Sequence, residues 1–337
     1  MKFAGKERDL LMRLLQESAS LGQVRALLKD RGLPFSAGTW DEMKEKRLAP
    51  ALKDGRIGDR DLLELIRTTE EHGNQHVFLY KSTPETAAEL VGEGRVRDEL
   101  RRLKKEGLVN APLLLDRPKE PTLVEVRWEK EKGAPPFAVK TVEERIEREF
   151  LGEERHGTFI DRRYQEQRVR AVNVFKVHAD GFLELRVQSH VNTSEYGDDV
   201  AAQWALVAPL LLRERFEEVY LTRAKQVLWE QRAALAAIVR HSGARFRNAR
   251  ATVLSAATGG AAAGLSDDAD AATSLDLFHG HDAICEAENI WWLQNGGSPS
   301  REIHCILSGR PNEFAIPAKC SEEDYEYVVQ QLRRLNQ

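Results

Sequence analysis

The 337-residue chain is 42% hydrophobic and has a formal net charge of −4, which fits a globular protein of two or three packed units. It has no apolar run of eighteen residues and no hydrophobic leader behind Met1, so we expect a cytoplasmic protein with no membrane segment. Three widely spaced cysteines exclude a disulfide framework. The sequence pI near 6.2 argues against a protein wholly devoted to nucleic acid.

The charge is unevenly distributed along the chain. Residues 1–57 hold twelve lysines and arginines against eight acidic residues, whereas residues 251–337 hold five against thirteen. A field at a groove depends on charges within a Debye length of about 10 Å, so the overall pI does not exclude a local basic face.

The first hundred residues have helical periodicity and predict an all-helical bundle. Leu10, Leu11, Leu14 and Leu15 lie on one side of the first predicted helix. Lysines and arginines are dense in the third helix and in the last one, which Gly107 ends. The predicted helices lie within residues 6–31 (two helices), 40–53, 58–73 and 83–107.

The run His76–Tyr80 is too apolar to lie free on a surface, so we expect it to pack onto the helices or to lead into a sheet. Beyond Pro112 the pattern changes to short alternating segments, and Asp180-Gly181 is a typical hairpin turn. The segment 143–154 is too charged to assign. Predicted strands cover residues 122–128, 137–141, 166–178, 182–191, 245–255, 301–308 and 313–318.

Further helices are predicted over residues 198–239, with a break near Pro209, over 281–294, and from the cap at Ser321 to Gln337. Residues 256–274 are a Gly/Ala-rich segment that we expect to be a flexible loop.

Helices that alternate with hairpins predict an α+β fold: a helical bundle, followed by a mixed antiparallel sheet with helices. The predicted domains are a bundle over residues 1–110, an α+β body over 111–255, and an acidic C-terminal α+β segment over 256–337.

Clustered cations on these elements predict a nucleic-acid-binding surface, because arginine meets phosphate bidentately and lysine meets it as a point charge. The competing interpretation is a solvated face with Glu or Asp at helical spacing. The candidate residues are Lys44, Lys46, Arg47, Arg95, Arg97, Arg101, Arg102, Arg168, Arg170, Arg245 and Arg247.

Enzyme signatures are weak. The chain lacks a phosphate-binding GxxxxGK[ST] motif and paired CxxC zinc motifs. A metal-dependent nuclease stays open as an alternative, through acidic sets or through a C-terminal His/Cys group, but buried structural thiols and chance acidic sets explain these residues as well. The residues concerned are Asp161 with Glu166, Asp180 with Glu184 and Arg186, and His279, His281, Cys285, His304, Cys305 and Cys320.

The N-terminal run of short helices, with TWDEMKEKRLAPALK, DGRIGDRDLLELI, the break EEHGNQH and then VFLYKS, resembles the centromere protein N family over roughly the first 190 residues. This resemblance implies a pyrin-type, death-fold-like helical domain followed by a mixed β domain. It also implies a non-catalytic role, with DNA held in a basic groove and a partner subunit bound through the C-terminal part. Lys44, Lys46 and Arg47 match the family's DNA-facing helix.

We therefore expect a non-enzymatic nucleic-acid-binding adaptor, with DNA as the first candidate ligand, that also binds a protein partner or itself through its C-terminal region. No cofactor, metal or catalytic residue is predicted. The alternative is a protein-recognition subunit of a multi-protein assembly, such as a prokaryotic antiviral defence system. A metal-dependent nuclease is the second alternative.

Overall fold

The computed structural model describes residues 3, 5–129, 135–191, 195–260, 262–280 and 282–337. It combines helices with one large antiparallel sheet, which confirms the mixed helix-and-sheet class. Two compact units can be distinguished. The first comprises Met1–His72 and Leu113–Asp116, and the second comprises Gly73–Pro112 and Arg117–Gln337.

The first unit is helical. A π-helical turn, Lys44–Leu48, joins its third and fourth helices into one continuous segment, in agreement with the predicted helix over 40–53. Leu11, Leu14 and Leu15 are buried in its core, as the periodicity of the first helix predicts. Its helices are α1 (Lys6–Ser18), α2 (Leu21–Asp30), α3 (Trp40–Met43), α4 (Ala49–Lys53) and α5 (Asp59–Glu71).

The second unit holds the whole sheet. Its strands are β1 (Gly73–Lys81), β2 (Thr122–Trp128), β3 (Phe137–His156), β4 (Phe159–Val177), β5 (Phe182–Gln188), β6 (Glu217–Glu218), β7 (Val239–Arg247), β8 (Val253–Ala257), β9 (Ile284–Trp292), β10 (Ile303–Leu307) and β11 (Glu313–Lys319). Its helices are α6 (Pro84–Val91), α7 (Glu93–Arg102), α8 (Gly197–Val207), α9 (Thr222–Glu230), α10 (Arg232–Leu235), α11 (Ala269–His279) and α12 (Glu322–Leu335). The strand order is β2-β3-β4-β5-β1-β11-β10-β9-β7-β8, and β6 pairs with β1.

Strand β1 lies inside the sheet, between β5 and β11. Successive strand residues point to opposite faces. Phe78 and Tyr80 accordingly enter the core formed with α6, α7 and α8, while Val77 and Leu79 enter the core formed with α9 and α12. All four side chains are buried. Residues 77–80 are apolar throughout because both faces of their strand are covered.

Several predicted boundaries differ from the structure. The first hundred residues are not all helical, because β1 leaves the helices at Gly73 and joins the sheet. The compact units divide at His72 and Gly73, whereas the predicted boundary is at residue 110. Residues 256–337 are continuous with the body, since β9, β10 and β11 belong to the same sheet as β1 to β5.

Three local assignments are wrong. The predicted helix over 281–294 contains strand β9, and the predicted strand over 245–255 is a hairpin of β7 and β8. Within 256–274, the predicted flexible loop, the helix α11 begins after the cap residue Asp268. The break predicted near Pro209 within 198–239 is present, but it is longer than expected, because the first helix ends at Val207 and the next begins at Thr222.

Candidate functional site

Strands β3 and β4 continue well beyond the body of the sheet. Their outer neighbours stop early: β2 pairs with β3 no further than Val142, and β5 pairs with β4 only from Val174. The register continues from Ile146 opposite Arg168 to His156 opposite Phe159. Residues 146–168, here called the ribbon, form a two-stranded hairpin about 35 Å long. In the described part of the chain no third strand pairs with it.

The ribbon is closed by a tight turn and bent by one irregularity. Gly157 adopts a left-handed conformation, with φ of 64°, in the two-residue connection between His156 and Phe159. Glycine accepts this conformation without a Cβ clash. Leu151 is the extra residue of a β-bulge, because the register shifts between Phe150 and Gly152.

Exposed apolar side chains are concentrated on the ribbon. Six of the fourteen exposed large hydrophobic side chains among the described residues lie within it, and Phe159 is 74% exposed. The others are Ile146, Phe150, Leu151, Ile160 and Tyr164. Exposed apolar side chains that gather on one element mark interaction sites, whereas scattered single ones are ordinary.

Four of these side chains share one face of the ribbon. Residues paired across an antiparallel ladder lie on the same face, and the faces alternate along each strand. Phe150 pairs with Tyr164, and their ring centroids are 5.6 Å apart. The face of this aromatic pair also carries Ile146 and Ile160, four residues away on each strand. These four residues are here called the apolar strip.

The charges of the ribbon neutralise one another across the two strands. Ion pairs join Arg148 to Glu166 at 3.0 Å and Arg162 to Glu153 at 3.3 Å. Six acidic and five basic residues between 146 and 168 give a net charge of −1. An arm that holds nucleic acid needs an excess of cations to replace the counterions of the phosphates. The ribbon as a whole has no such excess, although the face that carries the apolar strip holds four arginines and two glutamates.

In the first unit the structure places three predicted nucleic-acid-binding residues on one helical segment. Lys46 forms an ion pair with Glu42 at 3.4 Å. Lys44 donates a hydrogen bond to the side-chain oxygen of Gln16, and Arg47 donates one to the carbonyl of Ser36 at 2.7 Å. Lys44 and Arg47 thus bond to neutral oxygens, while Lys46 has an acidic partner.

On α7 the predicted cations are paired with acidic residues or serve the fold. Arg97 pairs with Glu93, Arg101 with Asp98, and Arg102 with Glu99, at N···O distances of 2.6, 2.7 and 2.9 Å. Arg95 is half-buried and donates to the carbonyls of Leu90 and Leu210 at 2.6 and 2.8 Å. It therefore ties the end of α6 to the segment after α8.

The four arginines predicted on strands are divided between β4 and β7. Arg168 pairs with Glu144 at 2.7 Å, and Arg245 and Arg247 both contact the carboxylate of Glu286. Arg170 lies on β4 opposite Glu144 and is half-buried. Seven of the eleven predicted cations therefore have a carboxylate within ion-pair distance, and a phosphate would have to compete with it.

The predicted acidic set around Glu184 is part of a buried ionic cluster. Glu184 is 0% exposed and Arg186 is 1% exposed, and their carboxylate and guanidinium groups lie 2.9 Å apart. The Tyr325 hydroxyl of α12 donates to Glu184 at 2.7 Å, and His178 lies 2.6 Å from its other oxygen. Burial opposes ionisation, but Arg186 and His178 hold the pKa of Glu184 well below its ordinary value.

The other acidic residues have structural or exposed positions. Asp180 accepts a hydrogen bond from the backbone of Phe182 at 3.1 Å and contacts Arg333, so it shapes the turn before β5. Asp161 and Glu166 lie on the exposed ribbon, where Glu166 is held by Arg148. Neither predicted acidic set forms a concave site with free carboxylates.

The described members of the C-terminal His/Cys group do not converge on one site. Cys285, Cys305 and Cys320 are buried, and burial raises the pKa of the Cys320 thiol to about 12. His304 stacks on Trp291, whereas Cys305 is enclosed on the opposite face of β10, as strand alternation predicts. His281 lies outside the described residues. Among the described residues there is no group of three His, Cys, Asp or Glu side chains that could hold a metal ion.

Sequence reasoning missed the ribbon because residues 143–154 were too charged to assign. The usable signal was the four-residue spacing of Ile146 and Phe150 on one strand and of Ile160 and Tyr164 on the other. Such spacing places residues on one face of a strand, but it also fits a helix.

No protein-family model matches the chain, and no curated protein matches it. In the described part of the chain no helix is long and apolar enough to span a membrane.

Proposed function

We propose that this protein is a non-enzymatic adaptor that recognises a protein partner through the apolar strip of its ribbon. The observation that carries the proposal is the concentration of exposed apolar side chains on a hairpin whose central charges form ion pairs across the two strands. Aromatic side chains in a desolvated centre dominate the energy of protein interfaces. Phe150 and Tyr164 supply that centre, and the ion pairs around them supply a polar rim.

The physical chemistry of the ribbon supports this role. A two-stranded hairpin is marginally stable by itself, so burial of its faces stabilises both the hairpin and the complex. A ribbon about 35 Å long and about 10 Å wide offers roughly 350 Å² on each face. Covering the strip face alone buries roughly 350 Å² on this protein, the scale of a weak, transient interface, and covering both faces buries roughly 700 Å².

A site-specific photocrosslink tests the proposal. We expect p-benzoylphenylalanine in place of Ile160, a member of the apolar strip, to form a covalent adduct with one defined protein in cells, identified by mass spectrometry. Phe150→Asp in the same chain should abolish the adduct. The matched control is p-benzoylphenylalanine in place of Leu277, which is 67% exposed on α11. Absence of a protein adduct at position 160, or equal adducts at both positions, would refute the role of the apolar strip.

Binding of nucleic acid, with DNA as the first candidate ligand, is the second proposed function. The specific observation in its favour is that Lys44 and Arg47 bond to neutral oxygens, which a phosphate can replace without separating an ion pair. The resemblance to the centromere protein N family implies that DNA binds to this same helical segment. The proposal includes a role for this protein as the recognition subunit of a multi-protein assembly, such as a prokaryotic antiviral system.

The Lys44→Ala/Arg47→Ala double variant should bind duplex DNA more weakly than the wild type, because two phosphate contacts are removed. The slope of log K against log[salt] should fall by about 2. Arg97→Ala/Arg102→Ala is the control with equal loss of charge, since both arginines are engaged by glutamates. Titrations at several salt concentrations measure both quantities. An unchanged affinity in the first variant would remove this helix from the interface.

A further inference from the structure

We propose that the ribbon pairs with the ribbon of a second copy of this chain, strip face to strip face and in antiparallel orientation. A two-fold axis would pass between the faces at the level of Phe150 and Tyr164. The inference rests on the proposed function, in that it names the protein partner that the ribbon recognises. It is carried by the order of the residues along the strip face.

The strip face has a charge order that reverses across its centre. On the side nearer the sheet, β3 contributes the cation Arg148 and β4 the anion Glu166. On the side nearer the turn, β3 contributes the anion Glu153 and β4 the cation Arg162. The aromatic pair Phe150–Tyr164 separates these two levels.

This order is self-complementary under a two-fold axis. Turning one ribbon end to end over the other lays β3 against β3 in the opposite direction, so that Arg148 faces Glu153 of the second copy. By the same operation Glu166 faces Arg162 of the second copy. Each copy's Phe150–Tyr164 pair then packs against the same pair of the other copy. Residues i on one copy contact j on the other, and j contacts i, as an isologous interface requires.

The two ends of the strip also match. Ile146 shares its level with Arg168, and Ile160 shares its level with Arg155. In the antiparallel arrangement Ile146 meets Arg155, and Ile160 meets Arg168, of the second copy. The aliphatic stem of an arginine can cover an isoleucine while its guanidinium stays in water.

The opposite face of the ribbon lacks this complementarity. Its charged residues are the anions Glu147, Glu149, Glu154 and Asp161, with Arg163 as the cation. Two such faces would bring like charges together, which disfavours that pairing. The strip face has four cations and two anions in an order that matches itself, so the geometry selects one face for self-association.

The test uses two charge-swapped variants of the full chain. Arg148→Glu/Glu166→Arg and Glu153→Arg/Arg162→Glu each keep opposite charges across the ribbon, so each preserves its own hairpin. Alone, each variant places like charges against like in the antiparallel dimer. Mixed together, they restore all four complementary contacts. Four exposed like-charge contacts should raise the dissociation constant by on the order of tenfold or more.

Sedimentation velocity from 1 to 100 µM, a range of about two decades chosen around typical dimer affinities, measures association. We expect the wild type to approach twice the chain mass of 38.2 kDa as the concentration rises, each variant alone to have a dissociation constant at least about tenfold higher, and the equimolar mixture to recover the wild-type value. A monomeric wild type, an unchanged dissociation constant in either variant alone, or failure of the mixture would each overturn self-pairing. A monomeric wild type that still forms the photo-adduct at position 160 with another protein would leave the proposed function standing, whereas loss of that adduct as well would remove both.

Discussion

Glu184 and Arg186 form an ion pair inside the second unit rather than on its surface. Burial penalises both charges, and the pair persists because Tyr325 and His178 also bond to the carboxylate. The pKa of Glu184 is lowered and that of Arg186 is raised, chiefly because each charge stabilises the other against the cost of burial. This set resembles a catalytic acid and cation in sequence, but enclosure makes it a structural contact between the sheet and α12.

Glu184→Gln should destabilise the protein by about 3 kcal/mol, because it leaves the guanidinium of Arg186 buried without its counterion. Asp98→Asn is the exposed control. The side chains of Asp98 and its partner Arg101 are 69% and 66% exposed, so the expected loss is below about 1 kcal/mol. Urea denaturation monitored by tryptophan fluorescence gives both values. Equal losses would contradict the assignment of Glu184 as a buried structural anion.

His241 gives the fold a dependence on pH near neutrality. Burial, assisted by the nearby cation of Arg232, lowers the pKa of His241 from 6.5 to about 4. The carboxyl of Glu288, 3.8 Å away, has a raised pKa because it is buried too. His241 is therefore protonated below about pH 6.5 in the unfolded chain but only below about pH 4 in the folded chain.

His241 should lower the free energy of unfolding by up to about 2 kcal/mol as the pH falls from 7 to 5. The raised pKa of Glu288 acts in the opposite direction, because the folded chain then holds a proton that the unfolded chain releases. His241→Phe preserves a ring against Trp229 and removes only the titration of His241. On going from pH 7 to pH 5 the variant should therefore lose less free energy of unfolding, or gain more, than the wild type, measured by denaturation at each pH. The same change in both proteins would contradict the burial of His241 as a neutral side chain.

Several secondary structure elements that begin or end at a recognisable cap or turn residue were predicted correctly from the sequence, and others without such a residue were not. Ser321 caps α12, and Asp180-Gly181 turns the chain between β4 and β5, as the sequence predicts. Strand β9 was predicted as a helix because the buried Glu288 breaks the alternation of apolar residues that ends with Ile290 and Trp292. A buried carboxylate in a strand is visible only once its surroundings are known.

The ribbon should be dispensable for folding, since few of its side chains enter a core. Arg145 and Val169 are directly opposite one another at its base, so an Asn-Gly turn can join them in place of residues 146–168. We expect the shortened protein to unfold with a free energy within about 1 kcal/mol of the wild type. An insoluble shortened chain would show that the ribbon is part of the folding core. A soluble shortened chain that no longer binds the partner would show that the ribbon serves binding and not folding.

At the scale of the whole molecule, the sequence predicted the helix-and-sheet class but not the order of the strands. Hairpins such as β10–β11 pair strands that are consecutive in the sequence, and the residues of their turns predict the pairing. The central pairing of His76 in β1 with Ala315 in β11 crosses most of the chain and has no local signal. For the same reason the predicted C-terminal domain is not separate, because its strands complete a sheet that begins at residue 73.

Ending the chain after Gly309 should make it insoluble, although it removes only β11 and α12. The truncation exposes the apolar side chains of β1, including Val77 and Leu79, and leaves one edge of that strand unpaired. The soluble fraction after expression measures the effect, and the chain with the shortened ribbon is the control of similar size. A soluble, monomeric truncation product would show that β1 does not depend on β11.

The position of β1 has a consequence for folding during synthesis on the ribosome. Its partner on one flank is translated more than two hundred residues after it. At roughly 5–20 residues per second this interval lasts on the order of tens of seconds. During it the apolar strand β1 lacks its partner β11, which has not yet been synthesised. Molecular chaperones that shield such strands should therefore meet this protein during its synthesis.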